Sequence, residues 1–215
     1  MTGSPALSAR SVGPHWQGER MSARYVALLR GINVGTAKQL AMSDLKAVLE
    51  GLGYADVQTY LRSGQAVLTA DAPARSQPAK TAAKIAADLD HALAAELGMD
   101  VRVVVRTRDE LAAVLEGNPL ATPQRVATDP AKLFCIFLSD RLTARDLTGV
   151  DPAAYEPEEF RLASGGRELF LWLPGGMGRS ALGTVKWPRV TGRTDLVGTA
   201  RNWRTTQKLL ELLDG

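Results

Sequence analysis

The strongest constraint on the fold is the order in which apolar periodicities alternate along residues 24–106. Residues 24–30, RYVALLR, form a short continuous apolar run that reads as a buried strand. A Gly-punctuated loop, GINVGTAKQLA, leads to a helix over 44–51. Ser43 is its expected cap, and Leu45, Val48, Leu49 and Leu52 form its apolar face. Two strands, 56–61 and 65–69, flank Arg62-Ser63-Gly64. Residues 71–79 read as a linker. Ile85, Leu89, Leu93 and Leu97 then mark a helix over 80–97, which Gly98 stops. VRVVVR at 101–106 is a β-branched strand. The order β-α-β-β-α-β is that of a ferredoxin-like unit: an antiparallel sheet with two helices on one face. Strand 24–30 is apolar on both faces, which predicts a central position in its sheet.

The second half repeats part of this order. Thr107 and Glu110 make a capping box before a helix over 109–116. KLFCIFLS at 132–139 is a buried strand, and Gly165-Gly166 joins strands 160–164 and 167–173 in a hairpin. Residues 177–186 read as a helix, and a last helix runs from Trp203 to Leu213. The expected class is α+β, with two ferredoxin-like (α/β-plait) units with antiparallel sheets. The units are placed at 23–107 and 108–215, after a flexible N-terminal extension over 1–22. The extension mixes Ser, Gly, Pro and charge without an apolar face or a secretory h-region.

Composition narrows the function classes. The 215 residues contain one Cys and two His, which leaves no disulfide scaffold and no Cys-based zinc site. No cofactor is expected. No run of 18 apolar residues exists, so no membrane partner is expected, and a cytoplasmic setting follows from the missing signal and lone thiol. Residues 161–215 hold nine basic and four acidic side chains, against 17 and 19 in the rest. This basic end suits an anionic partner, or a solvated surface equally well.

Four constellations offer hydrogen-bond donors beside glycines. Arg30-Gly31-Ile32-Asn33-Val34-Gly35, with Lys38 beyond, sits where a strand enters a loop, but it is not a G-x-G-x-x-G fingerprint. Arg62-Ser63-Gly64-Gln65 joins two strands. Pro174-Gly175-Gly176-Met177-Gly178-Arg179-Ser180 follows a strand without matching a Walker-type loop. Gly198-Thr199-Ala200-Arg201-Asn202 precedes the last helix, which Asn202 can cap. Each also has a purely structural explanation as a turn or cap. No H-E-x-x-H, G-x-S-x-G or C-x-x-C occurs. His91 lies mid-helix and Cys135 in the most apolar strand, so both read as packing residues.

Three blocks carry a resemblance: MSARYVALLRGINVGTAKQLAMSDLKAVLEGLGYADVQTYLRSGQAVL, FLWLPGGMGRS and GTARNWRTTQKLLELL. Together they resemble the bacterial domain-of-unknown-function family numbered 1697, over about residues 21–213. The resemblance implies a pair of ferredoxin-like units and a start near Met21, but no activity, cofactor or catalytic residue. This chain has Gly35-Thr36 where the family usually has Gly-Gly, and Gln65 where it usually has Asn.

Three functions remain open. The first is binding of an anionic, phosphate- or carboxylate-bearing small molecule in one basic cleft between the halves. It would be lined by Arg30, Asn33, Lys38, Ser63, Arg179, Ser180, Arg201 and Asn202. An enzyme there would still need a general base: Asp44, His91 or a carboxylate the sequence does not assign. The second is nucleic-acid binding through the backbone; the strands carry too few aromatics for base stacking. The third is a structural or assembly role. If the arginines only brace the fold, each is expected to pair with a carboxylate.

Overall fold

A computed structural model describes residues 20–34, 39–73 and 77–215 of the chain. The first unit contains β1 (Arg20–Leu29), α1 (Met42–Gly51), β2 (Ala55–Tyr60), β3 (Gln65–Pro73), α2 (Pro78–Leu97) and β4 (Val103–Thr107). Its antiparallel strands are ordered β2-β3-β1-β4. β1 is central because both its faces are apolar. Tyr25, Ala27 and Leu29 pack with α1 and α2 on one side, where Leu45, Leu49, Ile85, Leu89 and Leu93 are buried. Val26 and Leu28 enter a different core on the other side.

Boundaries differ from expectation in two places. β1 begins at Arg20 and pairs residues 20–22 with 71–73 of β3, so the strand pair takes in the end of the expected extension and the start of the expected linker. Residues 1–19 and 74–76 lie outside the described residues. Ser43 does not cap α1. The N-cap is Ala41, and the Ser43 hydroxyl donates to Asp44 Oδ1 at 3.3 Å from within the helix.

The second half contains α3 (Arg108–Glu116), α4 (Pro123–Thr128), β5 (Leu133–Leu138), β6 (Glu159–Leu162) and β7 (Glu168–Trp172). It continues with α5 (Ala181–Thr184), α6 (Trp187–Val190), β8 (Gly198–Asn202) and α7 (Trp203–Asp214). Thr107 and Glu110 form the capping box of α3. The strand order, β6-β7-β5-β8, repeats that of the first sheet. Short 3-10 turns at Ala144–Leu147 and Pro152–Tyr155 occupy the β5–β6 connection in place of a helix. The helix expected over 177–186 is instead broken into a 3-10 turn at Met177–Arg179, α5 and α6. Gly176, Gly178, Gly183 and Pro188 do not sustain a continuous helix. The segment before the last helix, read from the sequence as a turn or cap, is the strand β8, paired antiparallel with β5.

The two sheets share a core. Val26, Leu28, Val67 and Val104 of the first face Leu133, Cys135, Phe137 and Phe170 of the second, with Leu111, Trp203, Leu209 and Leu213 from α3 and α7. Arg106 is fully buried in this layer. Its Nε donates to Glu168 Oε1 at 2.8 Å and its Nη2 to Leu138 O at 2.7 Å. Burial lowers the Arg106 pKa, and the Glu168 carboxylate opposes that shift. The outer face of the second sheet, with Ile136, Leu138, Leu169 and Leu171, packs against Leu142, Leu182, Trp187 and Leu196. Among the described residues, no helix is long and apolar enough to cross a membrane.

Candidate functional site

β8 decides where the expected site residues go. Side chains alternate along it, so Thr199 and Arg201 turn toward the first sheet and are buried, while Gly198 and Ala200 lie on the other face and line a cavity. Arg201 opposes Cys135 in the β5–β8 register and is 7% exposed. Its Nη2 donates to Leu29 O at 2.9 Å, Gly64 O at 2.9 Å and Ser63 O at 3.2 Å. Nη1 donates to Thr199 Oγ1 and to Ala200 O, each at 2.8 Å, and Nε to Gln65 Oε1 at 2.9 Å. Burial pushes the Arg201 pKa down to about 10. No carboxylate meets this guanidinium among the described residues. It braces the fold, but through neutral acceptors rather than through the acid expected of a bracing arginine. Arg201 thereby fastens β8 to the end of β1 and to the turn before β3.

Two further expected residues converge on the same turn. Ser63 supplies its carbonyl to Arg201, and its hydroxyl donates to Gln65 Oε1 at 3.2 Å. Asn33 adopts φ 55°, and its amide clamps two segments. It donates to Leu40 O at 2.9 Å and to Arg62 O at 2.6 Å, and accepts from Leu40 N at 2.9 Å. All these polar groups are therefore engaged within the protein.

The remaining expected residues are dispersed. Asn202 caps α7 through Thr205 N at 2.9 Å. Ser180 caps α5 through Gly183 N at 2.8 Å and donates to Glu158 Oε2 at 3.0 Å. Arg179 is exposed and has no ion pair among the described residues. Lys38 lies outside the described residues. Arg30 follows β1, and its side chain enters the wall of the cavity beneath α5 and α6.

This cavity, about 560 Å³, is the candidate site. Its floor is the outer face of the second sheet: Ile136 and Leu138 of β5, Leu171 of β7, and Gly198 and Ala200 of β8. A Cβ at Gly198 would lie 3.1 Å from Ile136 Cγ2, so the glycine keeps the floor open to the backbone. Met177, Trp187, Pro188 and Leu196 close the sides. Arg30, Lys186 and Arg189 line it as well, and all three are exposed. None has an ion pair among the described residues, and the lining contains no Asp, Glu, His or Cys. A smaller cavity of about 280 Å³ beside α3 also holds cations. There, Arg167 Nη1 is 2.6 Å from Glu110, and Glu168 is held by Arg106.

The cavity beneath α5 and α6 therefore offers uncompensated positive charge over an apolar floor, without a carboxylate or imidazole in its lining to move protons. Sequence reasoning found Arg30 but missed Lys186 and Arg189. The available signal was Lys186-Trp187-Pro188-Arg189, two cations bracketing a Trp-Pro pair that opens α6.

Two antiparallel four-stranded sheets with one strand permutation define a protein of α+β class built from two ferredoxin-like units. The model of the family described as "protein of unknown function (DUF1697)" matches residues 22–170, and the chain belongs to that family. The fold is similar to the solved structure of the conserved bacterial protein SP0830 from Streptococcus pneumoniae. That similarity has a TM-score of 0.63 at 21% identity and covers 90% of this chain and 99% of the other. No curated protein matches the chain.

Proposed function

We propose that the protein binds an anionic small molecule in the cavity between α5–α6 and the second sheet, at Arg30, Lys186 and Arg189. The observation that carries this reading is three unpaired cations around one cavity whose lining holds no acid. Arg193 and Arg108 are each compensated by a carboxylate, Asp140 and Asp214 respectively, whereas none of these three cations is among the described residues. Like charges gathered without a counter-ion repel one another, and a bound anion relieves that repulsion while accepting charge-assisted hydrogen bonds. Arg30 joins the site from the β1 end, whereas Lys186 and Arg189 come from the α5–α6 segment. A ligand here would touch both halves of the molecule.

The test is calorimetric titration with inorganic phosphate at constant ionic strength, on wild type and on Arg30→Ala, Lys186→Ala and Arg189→Ala. Saturable binding that weakens about tenfold or more per variant is expected, equivalent to one lost charge-assisted contact of about 1.4 kcal/mol. Equal binding by all four proteins would refute the site. Binding of an oligonucleotide but of no small anion would replace this reading with nucleic-acid binding.

A further inference from the structure

Building on that reading of the cavity, we infer that its ligand is a phosphate ester carried on a flat apolar body. Two features of the lining define the class. The first is charge. Three cations face the cavity without a carboxylate. A phosphate monoester carries about −1.5 to −2 at neutral pH and offers three acceptor oxygens. A monocarboxylate carries −1 and two oxygens, which leaves part of the cationic set uncompensated.

The second feature is the floor. Ile136, Leu138, Leu171, Leu196 and Ala200 present hydrocarbon where the body of a ligand would lie. The Trp187 ring is held at the side in an edge-on contact with Phe160, with centroids 5.7 Å apart. Side-chain hydroxyls in the lining come only from Thr184 and Thr194, and Thr184 Oγ1 already donates to Ala181 O at 2.8 Å. A sugar phosphate would set hydroxyls against the hydrocarbon of this floor, whose side chains offer them no partner, which is costly. Inorganic phosphate alone would leave most of about 560 Å³ unfilled. Cavities of roughly 300–1,000 Å³ bury molecules of drug size, with apolar walls and a few placed polar groups.

The experiment is a calorimetric series on the wild-type protein with inorganic phosphate, ribose 5-phosphate, phenyl phosphate, 1-naphthyl phosphate and 1-naphthoate. Affinity should rise about tenfold from inorganic to phenyl phosphate, the worth of roughly 60 Å² of apolar burial, and rise again with the naphthyl ring. Ribose 5-phosphate should bind no better than inorganic phosphate. The naphthoate should bind at least about tenfold more weakly than naphthyl phosphate. Ala200→Leu, which fills the floor, should weaken the aryl phosphates more than it weakens inorganic phosphate.

Inorganic phosphate that binds, with aryl phosphates no tighter, would overturn this inference and leave the anion reading standing. Naphthoate matching naphthyl phosphate would overturn the phosphate assignment. Failure of every anion would overturn the anion reading itself. The wild-type series is decisive even if Ala200→Leu fails to fold.

Discussion

Adjacent glycines in the β6–β7 hairpin should respond in opposite ways to one substitution. Gly166 has φ +73°, and a Cβ there would lie 2.3 Å from the carbonyl oxygen of Leu142. Gly165 has nothing within 4 Å of the same atom, and no positive φ. For Gly166→Ala, the left-handed backbone costs roughly 1–2 kcal/mol for an L residue. Removing the overlap requires a shift of the Leu142 backbone, at about 1–3 kcal/mol for overpacking. That shift also strains the Leu142 N to Gly166 O bond of 2.8 Å, worth about 1 kcal/mol. Leu142 is only 3% exposed, so it has little room to yield. The expected loss is about 3–6 kcal/mol. Gly165→Ala should stay within about 0.5 kcal/mol of wild type, because an exposed turn residue gains no clash and restricts the unfolded chain. Urea unfolding followed by circular dichroism reads both. With a slope near 2–3 kcal/mol per molar, Gly166→Ala should lower the midpoint by about 1–3 M. Equal midpoints for the two variants would refute the placement of this turn against Leu142.

Arg201→Lys should destabilise the protein by about 2–3 kcal/mol in the same assay. A single ammonium cannot reach the acceptors on Leu29, Ser63, Gly64 and Gln65 that one planar guanidinium spans; an unchanged midpoint would contradict a bracing role. The alkaline limb of stability should depend on Tyr54. Burial, and its hydrogen bond to Asp88 at 2.9 Å, raise the phenol pKa above its ordinary value of 10.0. The stability from this group is therefore present below the unfolded pKa and is lost as pH rises from there through the folded pKa. Tyr54→Phe should flatten the decline in unfolding free energy above about pH 10, and a decline as steep as wild type would exclude this linkage.

The residues themselves specified most of the first unit. A continuous apolar run, a β-branched run, a helical period near four and Gly98 as a stop are local signals, and they fall within this unit's strands and helices. The central place of β1 followed from RYVALLR having no polar face. The capping box of Thr107 and Glu110 was equally legible, because both partners lie within one turn. The resemblance carried by the three sequence blocks pointed to the family the chain belongs to.

Tertiary structure decided the rest. Gly198-Thr199-Ala200-Arg201-Asn202 has no strand pattern of its own, and it becomes β8 through its pairing with β5. That pairing turns Arg201 inward to carbonyls from distant segments and leaves Gly198 and Ala200 to floor the cavity. A guanidinium beside glycines reads the same in sequence whether it waits for an anion or is already satisfied. Only the positions of Leu29 O, Ser63 O and Gly64 O distinguish the two states. The cavity likewise depends on Arg30, which lies more than a hundred residues from Lys186 and Arg189. Local sequence sets propensity over a few residues, whereas burial, charge compensation and cavity shape arise from which distant segments the fold brings together.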